Sequence, residues 1–165
     1  MLRELEGLKK TGVAVGLSVT GSRQAETIER ALQTGAFDCV QATWNLFERS
    51  AEGALVQAHE AGMGVIVKEA LANGRLVGGE RDERPRPLID AARERGLTPD
   101  ALAISAALAR PFADVVLSGA ATSETLRSNL SALGVAYDEE LDRLLLALRE
   151  EPDLYWSKRS SLPWT

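Results

Sequence analysis

The chain has 165 residues, an apolar fraction of 45%, a charged fraction of 26% and a net charge of −5. This composition is typical of one globular domain; its acidity argues against a nucleic-acid partner, and no apolar run is long enough to span a membrane. The start of the chain lacks the apolar core of a secretory signal. Its single cysteine, Cys39, excludes an intrachain disulfide and a cysteine zinc site. We therefore expect one cytoplasmic domain over residues 1–165, without a metal.

Apolar runs alternate with amphipathic stretches along the chain. The runs predict strands at 13–19, 37–43, 64–70 and 115–117. The first is a continuous apolar run, which is typical of a strand covered on both faces. Helical spacing of apolar residues predicts helices at 2–10, 25–32, 51–61, 88–95 and 100–109. Thr98, which is followed by Pro99, predicts the cap of the helix at 100–109. Leu126, Leu130 and Leu133 predict an apolar face on a further helix that opens at Thr122, and Asp138 caps the next one.

This alternation indicates βα units and a parallel sheet. Four such units are present, whereas a closed (β/α)₈ barrel of about 250 residues has eight. The last unit, 114–129, joins a strand to a helix through a turn of small residues. Such a corner offers free N–H groups and the positive end of a helix dipole to an anion such as phosphate. An ordinary βα connection needs the same turn and cap, so both interpretations stay open.

Five phrases of the sequence carry a resemblance to a known family. They are GLSVTG at 16–21, DCVQATWNLFER at 38–49, GVIVKEALANGRL at 64–76, LSGAATSETLRSNLSAL at 117–133 and YWSKRSSLPW at 155–164. In this order and at this spacing, they resemble the C-terminal half of an aldo-keto reductase. The resemblance implies an α/β half TIM barrel, with four parallel βα units equivalent to strands 5–8, a C-terminal helix and a tail. It also implies an NAD(P)H-dependent oxidoreductase of carbonyls and alcohols.

The resemblance further implies which residues hold the nicotinamide cofactor. Ser18 and Gln41 match side chains that bind the carboxamide, and Trp44 stands where the family has a tyrosine that stacks on the ring. The remaining implied contacts are Glu69, Ala70, Leu71 and Ala72 at the pyrophosphate, Gly119 and Ala121 at the adenosine phosphate, and Thr125, Ser128 and Asn129 at the adenine end. NADP(H) is the cofactor implied. NAD(H) is the alternative, because Gly119 and Thr125 replace basic residues that usually bind the 2′-phosphate.

No catalytic residue is assigned. The family's catalytic Asp, Tyr, Lys and His belong to the half of the barrel that this sequence does not match, and His59, Tyr137 and Tyr155 stand at other positions. Lys68, at the end of the third strand, would form a Schiff base only if it were desolvated. A solvated or paired lysine is the alternative.

Three interpretations of the function stay open. The chain is a cofactor-binding half that is inactive alone, a nucleotide-binding half-barrel that assembles with an N-terminal half or with itself through exposed sheet edges, or a truncated product without its own function. A small carbonyl or sugar-like substrate is expected only if the barrel is completed.

Two segments fall outside the βα pattern. Residues 71–87 are rich in glycine, proline and charge, which predicts a loop. Its arginines suit cofactor phosphates, with a solvated mobile loop as the alternative. Residues 151–165 form an aromatic and basic tail, and its two tryptophans predict that it docks on the barrel, over the mouth or on the outside.

Overall fold

Four parallel strands lie side by side in the order in which they occur in the chain. The structure is a computed structural model, and it describes residues 2–77 and 85–162. The strands are β1 (Gly16–Ser18), β2 (Cys39–Thr43), β3 (Gly64–Lys68) and β4 (Val115–Val116). The helices of the described part are α1 (Leu2–Lys9), α2 (Gln24–Thr34), α3 (Glu52–Glu60), α4 (Arg86–Glu94), α5 (Pro99–Leu108), α6 (Ser123–Leu130), α7 (Glu139–Leu145) and α8 (Pro152–Ser161). The predicted alternation of strands and helices is confirmed.

Helices cover one face of the sheet and leave the other face open. Val40 and Val67 point into a buried cluster that includes Ile28 of α2 and Leu55 of α3. Successive residues of a strand point to opposite faces, and the alternate residues are partly exposed, as the pattern of Gly64–Lys68 shows. A single sheet with helices on one side is half of the layer arrangement of a TIM barrel.

The expectation that residues 13–19 are covered on both faces is wrong. Only Gly16–Ser18 form a strand there, and Gly16 and Ser18 are exposed. The strand lies at the edge of the sheet, so no further strand curves round to cover its open face within the described residues. A continuous apolar run is typical of a strand in a buried sheet. It does not show that further strands of the same chain complete the barrel.

Local capping signals fix the starts of three helices as the sequence predicts. The side chains of Thr98, Thr122 and Asp138 each accept a hydrogen bond from the backbone N–H three residues later. Such caps satisfy an N–H group that the helix leaves unpaired. At the end of α2, Gly35 adopts φ 61°, a left-handed conformation that glycine enters without strain.

The leucine face predicted for α6 points away from the core. Leu126, Leu130 and Leu133 are 44%, 54% and 71% exposed. The helix instead buries Asn129, and the short 3₁₀ turn that follows buries Ala132. Because α6 follows β4, the last strand of the sheet, it lies at the end of the row of helices. Helical spacing predicts that these leucines share a face, but not that this chain covers it.

The two segments outside the βα pattern contain more helix than the sequence indicates. Residues 152–161 of the predicted tail form α8, in which Tyr155 is fully buried; Trp164 lies outside the described residues. The predicted loop 71–87 contains a 3₁₀ turn at Ala72–Gly74 and the start of α4 at Arg86, and its residues 78–84 also lie outside the described part. None of the helices described is long and apolar enough to cross a membrane.

Candidate functional site at the carboxyl ends of the strands

Ser18, Gln41 and Lys68 form one hydrogen-bonded group on the open face of the sheet. The parallel register places Ser18 beside Gln41, and Lys68 ends the next strand. Ser18 Oγ donates to Gln41 Oε1 at 2.8 Å, and Lys68 Nζ donates to Ser18 Oγ at 3.1 Å. The sequence left open whether Gln41 binds a cofactor or is satisfied by backbone. Its observed partner is the Ser18 side chain.

The electrostatic surroundings of Lys68 are unusual for a lysine at a sheet face. Partial burial lowers the pKa of its amine below the ordinary value, the neighbouring Glu69 carboxylate opposes this, and the Arg159 guanidinium adds to it. The ammonium thus loses part of its hydration and takes a hydroxyl as its acceptor. Arranged in this way, the three side chains present a hydroxyl, an amide and a cation side by side.

Trp44 does not join this group. Its side chain is fully buried, its Nε1 donates to Glu52 Oε2 at 3.1 Å, and its ring meets Phe112 edge to face. Arg49 and Arg110 lie over the ring at 5.3 Å and 5.2 Å from its centre. The ring is therefore part of the core, and the expectation that it stacks on a nicotinamide does not fit this structure. A tryptophan just beyond a strand can pack into the core or point to the open face of the sheet. The neighbouring residues in the sequence do not indicate which of the two it does.

The two arginines over Trp44 belong to a structural ion cluster around Asp142. Arg49 Nη1 and Arg110 Nη2 lie 3.1 Å and 3.2 Å from Asp142 Oδ1, to which Tyr137 also donates. Burial opposes ionisation of Asp142, but the two guanidinium groups outweigh it and hold its pKa below the usual range. Burial and the Asp142 carboxylate together raise the pKa of Tyr137 to about 12.

The segment after β3 makes a sharp turn in an unusual backbone conformation. Glu69, Ala72 and Asn73 have φ values of 56°, 48° and 53°, in the left-handed region. Non-glycine residues rarely adopt it, and it persists where the surroundings hold it. The Glu69 carbonyl accepts from Ala72 N at 2.8 Å. Ala70 and Ala72 are buried as whole residues, while Leu71 is half-buried and Asn73 is exposed.

Three residues that sequence reasoning missed hold this turn. Asn45 Nδ2 donates to the Glu69 carbonyl and to Tyr155 Oη, both at 3.0 Å, while Arg159 Nη2 lies 2.9 Å from Glu69 Oε1. Burial raises the pKa of Tyr155 far above its usual value, so it stays neutral. One signal was present in the sequence. Pro152 marks a helix start, and Tyr155 and Arg159 then share a face at i, i+4.

The corner after β4 is a sharp turn that leads into α6. Gly119 has φ 62°, so the chain turns sharply there, and Ala121 is exposed. Thr122 Oγ1 caps α6 by accepting from Thr125 N at 3.1 Å, and the two threonine hydroxyls are 2.8 Å apart. No arginine or lysine occupies 118–125.

Ser128 and Asn129 differ in how their polar atoms are satisfied. Ser128 Oγ donates to Asp100 Oδ2 at 2.6 Å, so its proton is already used. Asn129 Nδ2 donates to the Ser118 carbonyl at 3.1 Å, whereas its Oδ1 is buried without a hydrogen-bond partner among the described residues. A buried polar oxygen normally has a partner, and no described residue supplies one to Asn129 Oδ1.

The other residues considered from sequence are placed apart from this group. His59 is exposed, with Nδ1 3.6 Å from Asp114 Oδ1. Cys39 is half-buried and lies against Gly16. Among the residues described, no three His, Cys, Asp or Glu side chains are grouped so that they could hold a metal ion.

Comparisons with solved structures place this sheet within a known fold. The chain is similar to the aldo-keto reductase AKR11C1 from Bacillus halodurans in its apo form, with a TM-score of 0.73 and 20% identity over 91% of this chain and 56% of that one. The holo form gives a TM-score of 0.72 and 21% identity over 91% and 55%. The thermostable aldo-keto reductase Tm1743, in complex with the inhibitor epalrestat, gives 0.58 and 21% over 89% and 65%.

These likenesses show the fold, and the chain spans little more than half the length of the first relatives. A search of curated proteins found no match. The sequence model described as the aldo/keto reductase family matches residues 1–144. That match covers most of the 165 residues, and the chain therefore belongs to the aldo/keto reductase family.

Proposed function

We propose that this chain is the nicotinamide-dinucleotide-binding half of an oxidoreductase barrel, equivalent to strands 5–8. The observation that carries the proposal is the contact between Ser18 and Gln41, 2.8 Å apart on the open face. Active sites of TIM barrels lie at the carboxyl ends of the strands, and both residues are there. A hydroxyl beside a primary amide matches the donor and acceptor groups of a carboxamide.

Observations along the chain agree with a dinucleotide that runs from this pair past the turn after β3 to the corner after β4. Asn129, whose Nδ2 donates to the Ser118 carbonyl, lies at this corner, where the resemblance implies the adenine end. The neutral residues Gly119 and Thr125 offer no cation to a 2′-phosphate. NADP(H), the family's usual cofactor, is the proposed ligand, and because this cation is lacking we expect NAD(H) to bind with similar affinity.

When bound, the dihydronicotinamide supplies a hydride to a carbonyl carbon. Ser18 and Gln41 orient the carboxamide, and Lys68 holds the Ser18 hydroxyl in place. Neither described tyrosine reaches the open face as a proton donor, because Tyr155 is buried against Asn45 and Tyr137 is committed to Asp142. We propose that the chain alone does not reduce carbonyls, and that a small carbonyl or sugar-like substrate binds only in a completed barrel.

A titration of the full chain with NADPH and with NADH, followed by dihydronicotinamide fluorescence, tests this proposal. We expect saturable binding that Ser18→Ala and Gln41→Ala each weaken by about tenfold, the loss typical of one or two hydrogen bonds. Ser157→Ala, at an exposed serine of α8, is the matched control. A folded chain that shows no saturable binding would contradict the proposal, and turnover of a simple aldehyde by the pure chain would contradict its second part.

The open sheet favours a second candidate function, assembly into a closed barrel. Within the described residues, β1 and β4 each have one unpaired edge, and Val115 at the end strand is 48% exposed. Unpaired edges invite further strands. The partner is an N-terminal half of four further βα units or a second copy of this chain. Sedimentation of the pure chain separates these: a dimer supports the second copy, and a monomer that binds only an N-terminal half supports the first.

A further inference from the structure

We propose that helix α8 sets the conformation of the turn formed by residues 69–76, and that Arg159 is a positioning residue for cofactor binding at this turn. This proposal rests on the proposed function, because it assigns a control element to the same site. It adds a role for the C-terminal helix, which neither the resemblance nor the fold assigns.

The turn needs an external support. Glu69, Ala72 and Asn73 all have positive φ values, and none of them is glycine. Such residues keep a left-handed conformation when their surroundings determine it. A backbone that is to receive a pyrophosphate must also hold its N–H groups in fixed directions before the ligand arrives, because ordering on binding weakens affinity.

Arg159 supplies the first support. Its Nη2 and Nε lie 2.9 Å and 3.2 Å from Glu69 Oε1, and Thr43 Oγ1 lies 3.4 Å from Glu69 Oε2. Both side chains of the pair are mostly buried, at 21% and 13% exposure. A planar guanidinium fixes the direction of the carboxylate it binds. The pair therefore restrains the side chain of the residue at which the backbone turns left-handed.

Tyr155, on the same face of α8 as Arg159, supplies the second support through Asn45. Tyr155 is one helical turn before Arg159, and its hydroxyl accepts from Asn45 Nδ2, which also donates to the Glu69 carbonyl. The carbonyl and the carboxylate of Glu69 are thus both linked to α8, one through Asn45 and the other directly.

The far end of the turn is linked to the same helix. Arg75 Nη1 and Nη2 lie 3.0 Å and 2.5 Å from the carboxylate of Glu150, which Lys158 Nζ of α8 also contacts at 3.0 Å. The Arg75 guanidinium stacks over the ring of Phe47, 4.4 Å from its centre. Residues 69–75 are therefore held at both ends by α8 and the residues that lead into it, and a displacement of the helix would change the turn.

Amide hydrogen exchange and NADPH titration of the full chain test this proposal together. The informative amide is Ala72 N–H, which donates to the Glu69 carbonyl. We expect Arg159→Met to raise exchange at Ala72 and Gly74 by at least about tenfold, to leave the amides of β2 unchanged, and to weaken NADPH binding by about tenfold. Arg159→Lys keeps one charged contact and should restore part of both effects. Arg93→Met, at an exposed arginine of α4, is the matched control.

A double variant shows whether Arg159 acts through Glu69. If it does, Arg159→Met should add little to either readout in a Glu69→Gln background. Unchanged exchange in 69–76, an equal rise of exchange across all strands, or weaker binding without faster local exchange would each overturn the proposal. A wild-type chain that binds no NADPH would overturn the proposed function and the cofactor part of this one, while exchange at Ala72 would still decide whether α8 holds the turn. If the methionine variant does not fold, Arg159→Lys and Glu69→Gln decide the comparison.

Discussion

Arg75 and Glu150, far apart in the chain, form a bidentate ion pair, and their side chains are only 11% and 14% exposed. Burial opposes ionisation of Glu150, but hydrogen bonds from Arg75 and Lys158 outweigh it and hold its pKa below the ordinary value. A carboxylate whose pKa is lower in the folded than in the unfolded chain stabilises the fold above its unfolded pKa. That contribution is lost as the pH falls through the folded pKa.

This relationship predicts an acid-sensitive stability. We expect the free energy of unfolding to fall as the pH drops below about 5, since unfolded glutamates titrate near 4.3, and we expect Glu150→Gln to reduce that dependence. At pH 7 the same variant should cost about 1–3 kcal/mol, because Arg75 loses a charged partner. Urea unfolding between pH 7 and pH 3 measures both. Glu60→Gln, at an exposed residue of α3, should keep the wild-type profile, and an equal effect of both variants would contradict the assignment to Glu150.

Gly16 of the edge strand is expected to tolerate no side chain. A Cβ there would lie 2.3 Å from Cys39 Sγ and 2.9 Å from the Cys39 carbonyl oxygen, whereas at Gly64 the nearest atom would be 3.4 Å away. Gly16→Ala should therefore destabilise the fold by about 1–3 kcal/mol through overpacking, and Gly64→Ala should cost less. Adding Cys39→Ala removes the sulfur but not the carbonyl, so it should restore only part of the loss. Thermal unfolding of the three variants checks this, and full recovery in the double variant would contradict it.

Trp44 should contribute to stability without contributing to cofactor affinity. Its ring is fully buried between Arg49, Arg110 and Phe112. Trp44→Phe removes the hydrogen bond to Glu52 and part of the packing, so we expect a loss of about 1–3 kcal/mol in unfolding free energy. The dissociation constant for NADPH should stay within about twofold, which is under 0.5 kcal/mol. A tenfold weaker affinity in a folded Trp44→Phe variant would show that the ring contacts the cofactor after all.

The elements that the sequence predicts well are those governed by local physics. Thr98, Thr122 and Asp138 cap helices because each side chain needs only an N–H group three residues away. The sequence places Ser18 and Gln41 at the carboxyl ends of neighbouring strands, but their mutual hydrogen bond depends on the register of the sheet, which the structure provides.

The features that sequence reasoning missed depend on distant partners. Asn45 and Tyr155 are separated by 110 residues, and Arg159 and Glu69 by 90. Neither spacing nor composition brings such pairs together. The burial of Trp44 also depends on a distant partner, because Arg110, just after α5, covers its ring and lies far along the chain. The orientation of α6 depends on what flanks the end of the sheet, which a helical pattern does not specify.

The exposed leucines of α6 give the last prediction, on assembly. Leu126 and Leu130 of α6 are 44% and 54% exposed, and α6 follows β4, the strand at the end of the sheet. Because these side chains are exposed and lie outside the buried core cluster, Leu126→Glu with Leu130→Glu should change the unfolding free energy by under about 0.5 kcal/mol. Leu141→Ala, at a fully buried leucine of α7, should cost about 2–5 kcal/mol.

If barrel completion uses this surface, the double glutamate variant should lose association with a second copy or an N-terminal half in sedimentation while remaining folded, because two charges would have to be buried. Association that survives both glutamates would exclude the α6 surface from the interface, and a large loss of stability in the isolated variant would show that the leucines pack within the chain.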